Sequence, residues 1–357
     1  MERLEKRSSR TLRAAIFGTL VWAALALGAC SVNPTTGRSQ FNMLSMQEEI
    51  ALGESAKASL TDEYGGSIKD PRLNAYMSGI GRALAAQTEG DYPDLPWEFT
   101  LLDSDVINAF ALPGGKVFMS RGLAEKFTTE AELAAVLGHE VGHVTARHSG
   151  QRVSQSMVVS GLVIGAGVAA GQSDSDLVKI GVPLLVGAGG GGYLLKFNRT
   201  QELEADALGV RYMVRCGYDP LGARMVQEVL AREGGKASQP EFLLTHPYPE
   251  SRIAAINKML AGEYAYTQNN PDYGLFADRY RTEFLEPMAK LRSARTQQSE
   301  SEARLAASAL NQRLVAGARL APRAQGGRLM LTPDALHDSA SWCAHCAGRM
   351  PEPAIGP

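Results

Sequence analysis

Apolar residues recur at intervals of three and four in several segments, which predicts a chain built mainly from amphipathic helices. The first two such segments span residues 47–58 and 71–86. A third begins near Glu130, where Thr129-Glu130-Ala131-Glu132 has the form of a capping box ahead of an apolar stripe. A fourth runs from Gln201 through Met213, and a charged helical stretch covers roughly 276–318. The first two helices are expected to pack on the third.

Strand patterns are confined to a short region ahead of the third helix. Residues 97–102, 109–112 and 116–120 are predicted to be strands, and Pro113-Gly114-Gly115 supplies the turn between the last two. A small sheet beside several helices predicts an α+β fold that is predominantly helical.

The composition permits one substantial core with an appendage. The chain has 357 residues, of which 45% are hydrophobic. Its formal net charge of -2 is close to balance and gives no reason to expect nucleic acid as a partner.

The first 30 residues have the pattern of an export signal. Basic residues precede an almost wholly apolar run from Ala14 to Gly28, and Leu27-Gly28-Ala29-Cys30 closes it. The run is shorter than the roughly 20 residues of a membrane span, which favours a cleaved signal peptide over an anchor helix. These last four residues resemble the lipobox of bacterial lipoproteins, and this resemblance implies lipidation of Cys30. Ser31 after it implies sorting to the outer membrane, with the protein facing the periplasm.

Export would allow the other cysteines to form disulfides. Cys216, Cys343 and Cys346 remain once Cys30 is lipidated, which is an odd number. The residues Cys343-Ala344-His345-Cys346 are interpreted as a local disulfide or an incidental feature, ahead of a second metal site or a redox loop.

The residues His139-Glu140-Val141-Gly142-His143 lie within the third helix and carry the strongest chemical signal. Residues four apart share one helix face, so His139 and His143 can direct imidazole nitrogens to a single Zn²⁺. Glu140 stands beside them, where a carboxylate can take a proton from zinc-bound water and pass it to a leaving amine. The pattern predicts peptide hydrolysis.

A tetrahedral zinc that keeps a position for water needs a third protein ligand, and the fourth helix offers carboxylates. HExxH followed by Glu202-Leu203-Glu204-Ala205-Asp206 resembles the zinc metallopeptidases of the HtpX, BepA and LoiP type, relatives of the CAAX prenyl proteases. The resemblance covers pieces of residues 33–256, including Asn33-Pro34-Thr35-Thr36-Gly37-Arg38. It implies a gluzincin-like domain with one Zn²⁺ per chain, held by His139, His143 and Glu202. No 34-residue repeat of the tetratricopeptide kind is evident after Ile256.

The same resemblance implies roles for three further residues. Asp206 is expected to steady a ligand histidine through a hydrogen bond, whereas Glu204 points elsewhere. Asn108 and Ala109 match an edge strand that receives substrate backbone as an added strand, although a plain structural hairpin is compatible with the same residues.

Two residues of the segment 245–252, which matches the same family pattern, complete the candidate site. His246 is predicted either to stabilise the oxyanion or to occupy the open zinc position in a resting form. Arg252 is predicted to orient Glu202 or Asp206 through a bidentate pair. His148 is expected to lie on the third helix, rotated away from the metal face, and to be structural.

The segment from Met157 to Leu195 is apolar and rich in glycine. Pro183 and the run from Gly189 to Gly192 disfavour a regular membrane-spanning helix. We expect two short helices folded over the active site, as a lid or in contact with the bilayer, and membrane spanning is the second alternative.

These observations predict a zinc-dependent metalloendopeptidase, and the family analogy suggests unfolded, misfolded or misassembled envelope proteins as substrates. A periplasmic chaperone-like outer-membrane assembly factor with a largely latent protease site is the alternative. A structural zinc protein is disfavoured by Glu140 next to the first ligand. The predicted organisation is a signal peptide at 1–29, a tether at 30–46, the metallopeptidase domain at 47–265, a C-terminal helical extension at 266–320 and a disordered tail at 321–357.

Overall fold

A computed structural model of the chain describes residues 30–159, 181–185, 195–235, 240–247 and 249–320. The predicted signal peptide, the C-terminal tail with its CxxC motif and most of the apolar segment 157–195 lie outside the described residues. The expectations for those parts therefore stay predictions.

Helices dominate the described residues, and the predominantly helical α+β class is confirmed. The strands are β1 (Cys30–Val32), β2 (Ser39–Phe41), β3 (Glu98–Leu102), β4 (Ala109–Leu112) and β5 (Lys116–Ser120). The first helices are α1 (Met46–Glu63), α2 (Pro71–Ala85), α3 (Arg121–Ala124), α4 (Glu130–Thr145) and α5 (His148–Val159). The later helices are α6 (Arg199–Arg215), α7 (Leu221–Gly234), α8 (Glu241–Thr245), α9 (Pro249–Ala261), α10 (Ala277–Tyr280) and, after a π-helical turn at Arg281–Leu285, α11 (Glu286–Leu320).

Local capping fixes where the two helices of the candidate site begin. The predicted box at the start of α4 is present, with the Thr129 side chain accepting from the Glu132 amide and the Glu132 carboxylate accepting from the Thr129 amide. An equivalent box between Asn198 and Gln201 starts α6. Both boxes satisfy amides that the first helical turn leaves without partners.

The sheet of β3, β5 and β4 lies ahead of α4 and is buried on both faces. Strand β5 is central, parallel to β3 and antiparallel to β4, which makes β4 an edge strand. Val117 and Met119 join one apolar cluster, whereas Phe118 between them joins the other. The predicted turn is present, and Gly114 and Gly115 adopt φ values of +75° and +93° that favour glycine.

Glycines allow α4 and α6 to cross with their backbones in contact. A Cβ atom on Gly209 would lie 2.8 Å from the amide nitrogen of His139. One on Gly142 would lie 2.8 Å from the carbonyl oxygen of Ala205. Larger side chains here would separate the two helices, so the crossing depends on these small residues.

The N-terminus of α4 is tied to other elements through the buried carboxylate of Glu130. Its oxygens accept hydrogen bonds from the hydroxyls of Tyr76 at 2.5 Å and Tyr218 at 2.6 Å, and from Arg279 Nε at 2.6 Å. Because Arg279 lies on α10, part of the predicted C-terminal extension packs against the N-terminus of α4. The first compact unit extends to Ser293. The described residues of the second unit, 294–320, are helical.

The segment 30–46 differs from an extended tether because it packs against the domain. Its strands β1 and β2 form an antiparallel hairpin. The buried amide of Asn33 donates to the Thr145 carbonyl at the end of α4, over 2.9 Å. Asn33, one of the polar residues that suggest a solvated tether, therefore has its partner in the protein.

Among the described residues, none of the helices combines the length and the apolar composition that crossing a membrane requires.

Candidate metal centre

Side chains from α4, α6 and the segment after α8 meet in a buried group that could hold a metal ion. His139, His143, Glu202 and His246 are each less than one-tenth exposed, and one ligand atom from each lies within 4.8 Å of the others. The structure therefore brings the three predicted ligands together and adds His246 as a fourth donor.

The spacing of the four donors fits zinc. A tetrahedral site with bonds of about 2.0 to 2.1 Å has edges of about 3.3 to 3.4 Å. The His139 and His143 Nε2 atoms are 3.0 Å apart, and Glu202 oxygens lie 3.6 Å from the first and 3.4 Å from the second. His246 Nδ1 lies 3.3 Å from His139 Nε2 and 3.1 Å from Glu202 Oε1. Imidazole and carboxylate donors are ligands that Zn²⁺ takes in proteins.

His139 is oriented by a carboxylate behind it. Its Nδ1 lies 2.9 Å from Asp206 Oδ1, one helical turn beyond Glu202 on α6. A proton on Nδ1 donates to that carboxylate and leaves Nε2 with its lone pair toward the other donors. The structure therefore places Asp206 where the family resemblance implies.

Arg252 is fully buried between the carboxylates of Glu202 and Asp206 on α6. Its Nε and Nη2 donate to Asp206 Oδ2 at 2.7 Å and Oδ1 at 2.6 Å, and its Nη1 lies 2.8 Å from Glu202 Oε2. The pair with Asp206 is bidentate, the geometry predicted for Arg252.

The charges in this group shift one another's pKa values. Burial favours the neutral carboxyl, but His246 and Arg252 outweigh it and hold the pKa of Glu202 well below its ordinary value. Burial likewise opposes ionisation of Asp206, and Arg252 outweighs it and lowers that pKa. Burial lowers the pKa of His143 well below its ordinary value, so this ligand is neutral. Burial also opposes the charged form of His246, but Glu202 and Glu140 raise its pKa.

Glu140 lies beside the ligand group with its carboxylate available. Both of its oxygens are buried and have no hydrogen-bond partner among the described residues, although Oε1 lies 3.6 Å from His246 Nε2. Burial raises the pKa of Glu140 against the opposing charges of His246 and His139. A carboxyl with a raised pKa and no fixed partner is suited to accept and return a proton.

His148 does not lie on the same helix as His143, and that expectation is wrong. Helix α4 ends at Thr145, Arg147 has a left-handed φ of +58°, and His148 begins α5. The turn brings His148 Nδ1 to 3.0 Å from His143 Nδ1. Sequence periodicity could not reveal this contact, because the left-handed conformation of Arg147 ends the helical path along which the spacing would place His148.

Glu204 does point away from the metal group, as expected, but it reaches His148. Its Oε2 lies 3.1 Å from His148 Nε2. Helical spacing alone could not identify this partner of Glu204, because the contact depends on the bend at Arg147.

Asn108 and Ala109 lie at the start of the edge strand and are buried. Asn108 Nδ2 donates to Glu241 Oε1 and to the Tyr64 hydroxyl, each over 3.0 Å. The Phe242 amide donates to the Ile107 carbonyl over 3.1 Å. The segment that carries His246 therefore also contacts the beginning of β4.

Comparisons with known proteins agree with this geometry. The family model of peptidase family M48 matches residues 71–260. The chain is 32% identical over 233 residues to "Mitochondrial metalloendopeptidase OMA1" of Schizosaccharomyces pombe, covering 64% of this chain and 65% of the relative. It is 31% identical over 276 residues to "Beta-barrel assembly-enhancing protease" of Escherichia coli, covering 76% of this chain and 56% of the relative.

A third relative is "Beta-barrel assembly-enhancing protease" of Yersinia pestis, 33% identical over 266 residues, with 70% of this chain and 52% of the relative covered. The chain thus spans from about half to just under two thirds of the length of these relatives. The matched region includes α4, α6 and Arg252, which carry the residues described above. The chain belongs to peptidase family M48.

Proposed function

We propose that the protein is a zinc-dependent metalloendopeptidase that cleaves misfolded or misassembled proteins of the cell envelope. The observation that carries the proposal is the convergence of His139, His143 and Glu202 beside the carboxylate of Glu140, which accepts no hydrogen bond from the described residues. A structural zinc site has no use for such a carboxylate, whereas peptide hydrolysis needs a group that moves a proton.

A zinc ion in this group would lower the pKa of a bound water toward neutrality and polarise the scissile carbonyl. Glu140 accepts the proton from the attacking water and returns it to the leaving amine. Asp206 keeps the His139 lone pair directed at the ligand group, and Arg252 holds Glu202 and Asp206 in place.

We further propose that His246 occupies a ligand position in a resting form. Its Nδ1 is within 3.3 Å of both His139 Nε2 and Glu202 Oε1, as a fourth donor would be. A peptide that pairs with Asn108 and Ala109 must first displace the segment that contacts Ile107. Once displaced from Glu202, a protonated His246 could donate to the oxyanion, so both expected roles of His246 remain compatible with one cycle.

The cellular setting rests on the sequence and on the names of the relatives. Two relatives are named for enhancing β-barrel assembly and one for a mitochondrial metalloendopeptidase. Together with the lipobox pattern at Cys30, these names support an envelope protein held to the outer membrane by a lipid and facing the periplasm. Its substrates would be polypeptides exposed there by faulty folding or assembly.

The test uses Glu140→Gln in the purified protein. We expect it to retain one zinc per chain and to lose roughly 10²- to 10⁴-fold in cleavage of an unfolded substrate such as casein, because only the base is removed. Glu228→Gln on α7, whose side chain is 45% exposed, is the matched control and should cleave normally. Cleavage by Glu140→Gln at the wild-type rate would refute the assignment.

Two further experiments distinguish the role of a metal ligand from that of the catalytic base, and a protease from a chaperone. Glu202→Leu should lose bound zinc as well as activity, and full zinc occupancy would count against its role. Complementation of a deletion strain by Glu140→Gln would instead support the chaperone-like alternative, because that function does not need the base.

A further inference from the structure

Asp206 contacts the metal group through His139, and a second series of hydrogen bonds reaches the group through His143. His143 Nδ1 lies 3.0 Å from His148 Nδ1, and His148 Nε2 lies 3.1 Å from Glu204 Oε2. His148 is 0% exposed. We call Glu204, His148 and His143 the histidine relay. Arg38 of the N-terminal segment extends it, with Nη1 lying 3.2 Å from Glu204 Oε1.

The chemistry of each group sets the positions of the protons along the relay. An ionised carboxylate only accepts hydrogen bonds, so His148 donates to Glu204 through a proton on Nε2. A neutral imidazole carries one N–H, and therefore His148 Nδ1 is an acceptor. The contact with His143 is then a hydrogen bond only if His143 carries its proton on Nδ1.

This arrangement leaves the other nitrogen of His143 free to bind a metal. Its Nε2 faces His139 Nε2 at 3.0 Å and Glu202 Oε1 at 3.4 Å. The opposite arrangement has the His148 proton on Nδ1 and the His143 proton on Nε2. It would direct the Nε2 lone pair of His148 at the Glu204 carboxylate. The proton on His143 Nε2 would have to leave before a metal could bind.

The backbone bends at Arg147, between α4 and α5, and this bend brings His148 to His143. Had α4 continued, His148 would lie roughly 140° around the helix from His143 and could not meet it. Instead Arg147 adopts φ +58°, which non-glycine residues rarely do. The Arg147 side chain is held by Glu49, with Nε 2.9 Å from Oε1. Contacts outside α4 thus stabilise the turn that returns His148 to His143.

We propose that His148 and Glu204 are positioning residues, which fix the tautomer and ring orientation of His143 for metal binding. The proposal rests on the metal site of the proposed function and not on proteolysis itself. Both ligand histidines then have a carboxylate behind them. Asp206 contacts His139 directly, whereas Glu204 acts on His143 through an intervening imidazole.

The experiment measures zinc affinity by competition with a chromophoric chelator, in wild type and in His148→Leu. Loss of a partner behind a metal ligand weakens binding by about 10- to 100-fold, and we expect a change in that range. Glu204→Leu should weaken binding in the same direction. The matched control is Arg281→Gln, which removes a cation that is 55% exposed and pairs with Glu286 instead of the relay, and it should remain within about threefold of wild type.

A spectroscopic readout distinguishes positioning from general damage to the fold. In the zinc-free wild type, ¹⁵N NMR of the His143 ring should show a proton on Nδ1 and none on Nε2. In His148→Leu the ring should become a mixture of tautomers, because no acceptor selects Nδ1. If His148→Leu fails to fold, Glu204→Leu decides the question, since its side chain is 20% exposed and tolerates replacement more readily.

The proposal is overturned if the folded variants bind zinc within about threefold of wild type and His143 keeps its proton on Nδ1. Failure of the proposed function would look different. A wild-type protein that binds zinc tightly and cleaves nothing would contradict the peptidase assignment while leaving the affinity and tautomer results intact.

Discussion

Replacing Arg252 with methionine removes a buried cation that two carboxylates share. Methionine has a similar length and is apolar, so the packing volume changes little while the charge is lost. Asp206 would lose its bidentate partner, and Glu202 would lose the Nη1 atom that lies 2.8 Å from its Oε2. Both carboxylates are buried, so water cannot take the place of the guanidinium.

The expected loss is large for a single substitution. Breaking one buried ion pair by removing a partner costs about 3 to 5 kcal/mol, because the remaining charge is left uncompensated. At about 2 to 4 °C per kcal/mol for a domain of this size, the thermal midpoint of the zinc-free protein should fall by roughly 6 to 20 °C. Zinc would neutralise Glu202 but not Asp206, so the loss should be smaller in the zinc-loaded protein.

The assay is thermal unfolding together with urea unfolding, both followed by circular dichroism, with and without excess chelator, in wild type and Arg252→Met. Arg224→Met is the control, because Arg224 pairs with Glu228 on the surface of α7, where both side chains are more than one-third exposed. An exposed pair contributes about 0 to 1 kcal/mol. If Arg252→Met loses no more than the control in the zinc-free protein, the charge argument for this network is wrong.

Two further predictions concern the helix crossing and the proton balance of the site. Gly209→Ala should lower the free energy of unfolding by about 1 to 3 kcal/mol and weaken zinc binding, because its Cβ would lie 2.8 Å from the His139 amide nitrogen. Gly79→Ala on α2, which has open space around it, should instead stabilise the protein by about 0.5 to 1 kcal/mol, and equal thermal shifts for the two variants would contradict the packing argument. For the pH dependence, Glu202 and Glu140 outweigh burial and raise the pKa of His246 above its ordinary value, so zinc-free His246 keeps its proton to higher pH than a free imidazole and releases it when zinc binds. Zinc affinity should therefore fall with decreasing pH, and calorimetry in buffers of different ionisation enthalpy should show proton release that His246→Ala abolishes. Unchanged proton release in His246→Ala would assign the proton to another group.

The parts of the site that depend on local spacing could be predicted from the sequence. The capping box at Thr129 and the interval of four between His139 and His143 are properties of one helix, so periodicity places them correctly. The third ligand, Glu202, lies on another helix and was reached through the family resemblance.

Other parts depend on long-range contacts that periodicity does not encode. The Glu130 carboxylate accepts hydrogen bonds from Tyr76, Tyr218 and Arg279, which are far apart in the chain. The partner of Asn33 is a carbonyl 112 positions later. A polar side chain in a turn-rich segment has the same sequence pattern whether water or protein is its partner, so composition alone suggested a tether.

The packing of residues 30–46 restricts how the protein can be shortened for laboratory work. A soluble version that starts at the first long helix would strip the Thr145 carbonyl of its amide donor. It would also deprive the buried Glu49 of Asn42, which donates to it over 2.6 Å. Such a fragment should aggregate or melt early even though every residue of the HExxH motif is retained. Recombinant versions should therefore begin no later than Cys30, with that cysteine replaced by serine.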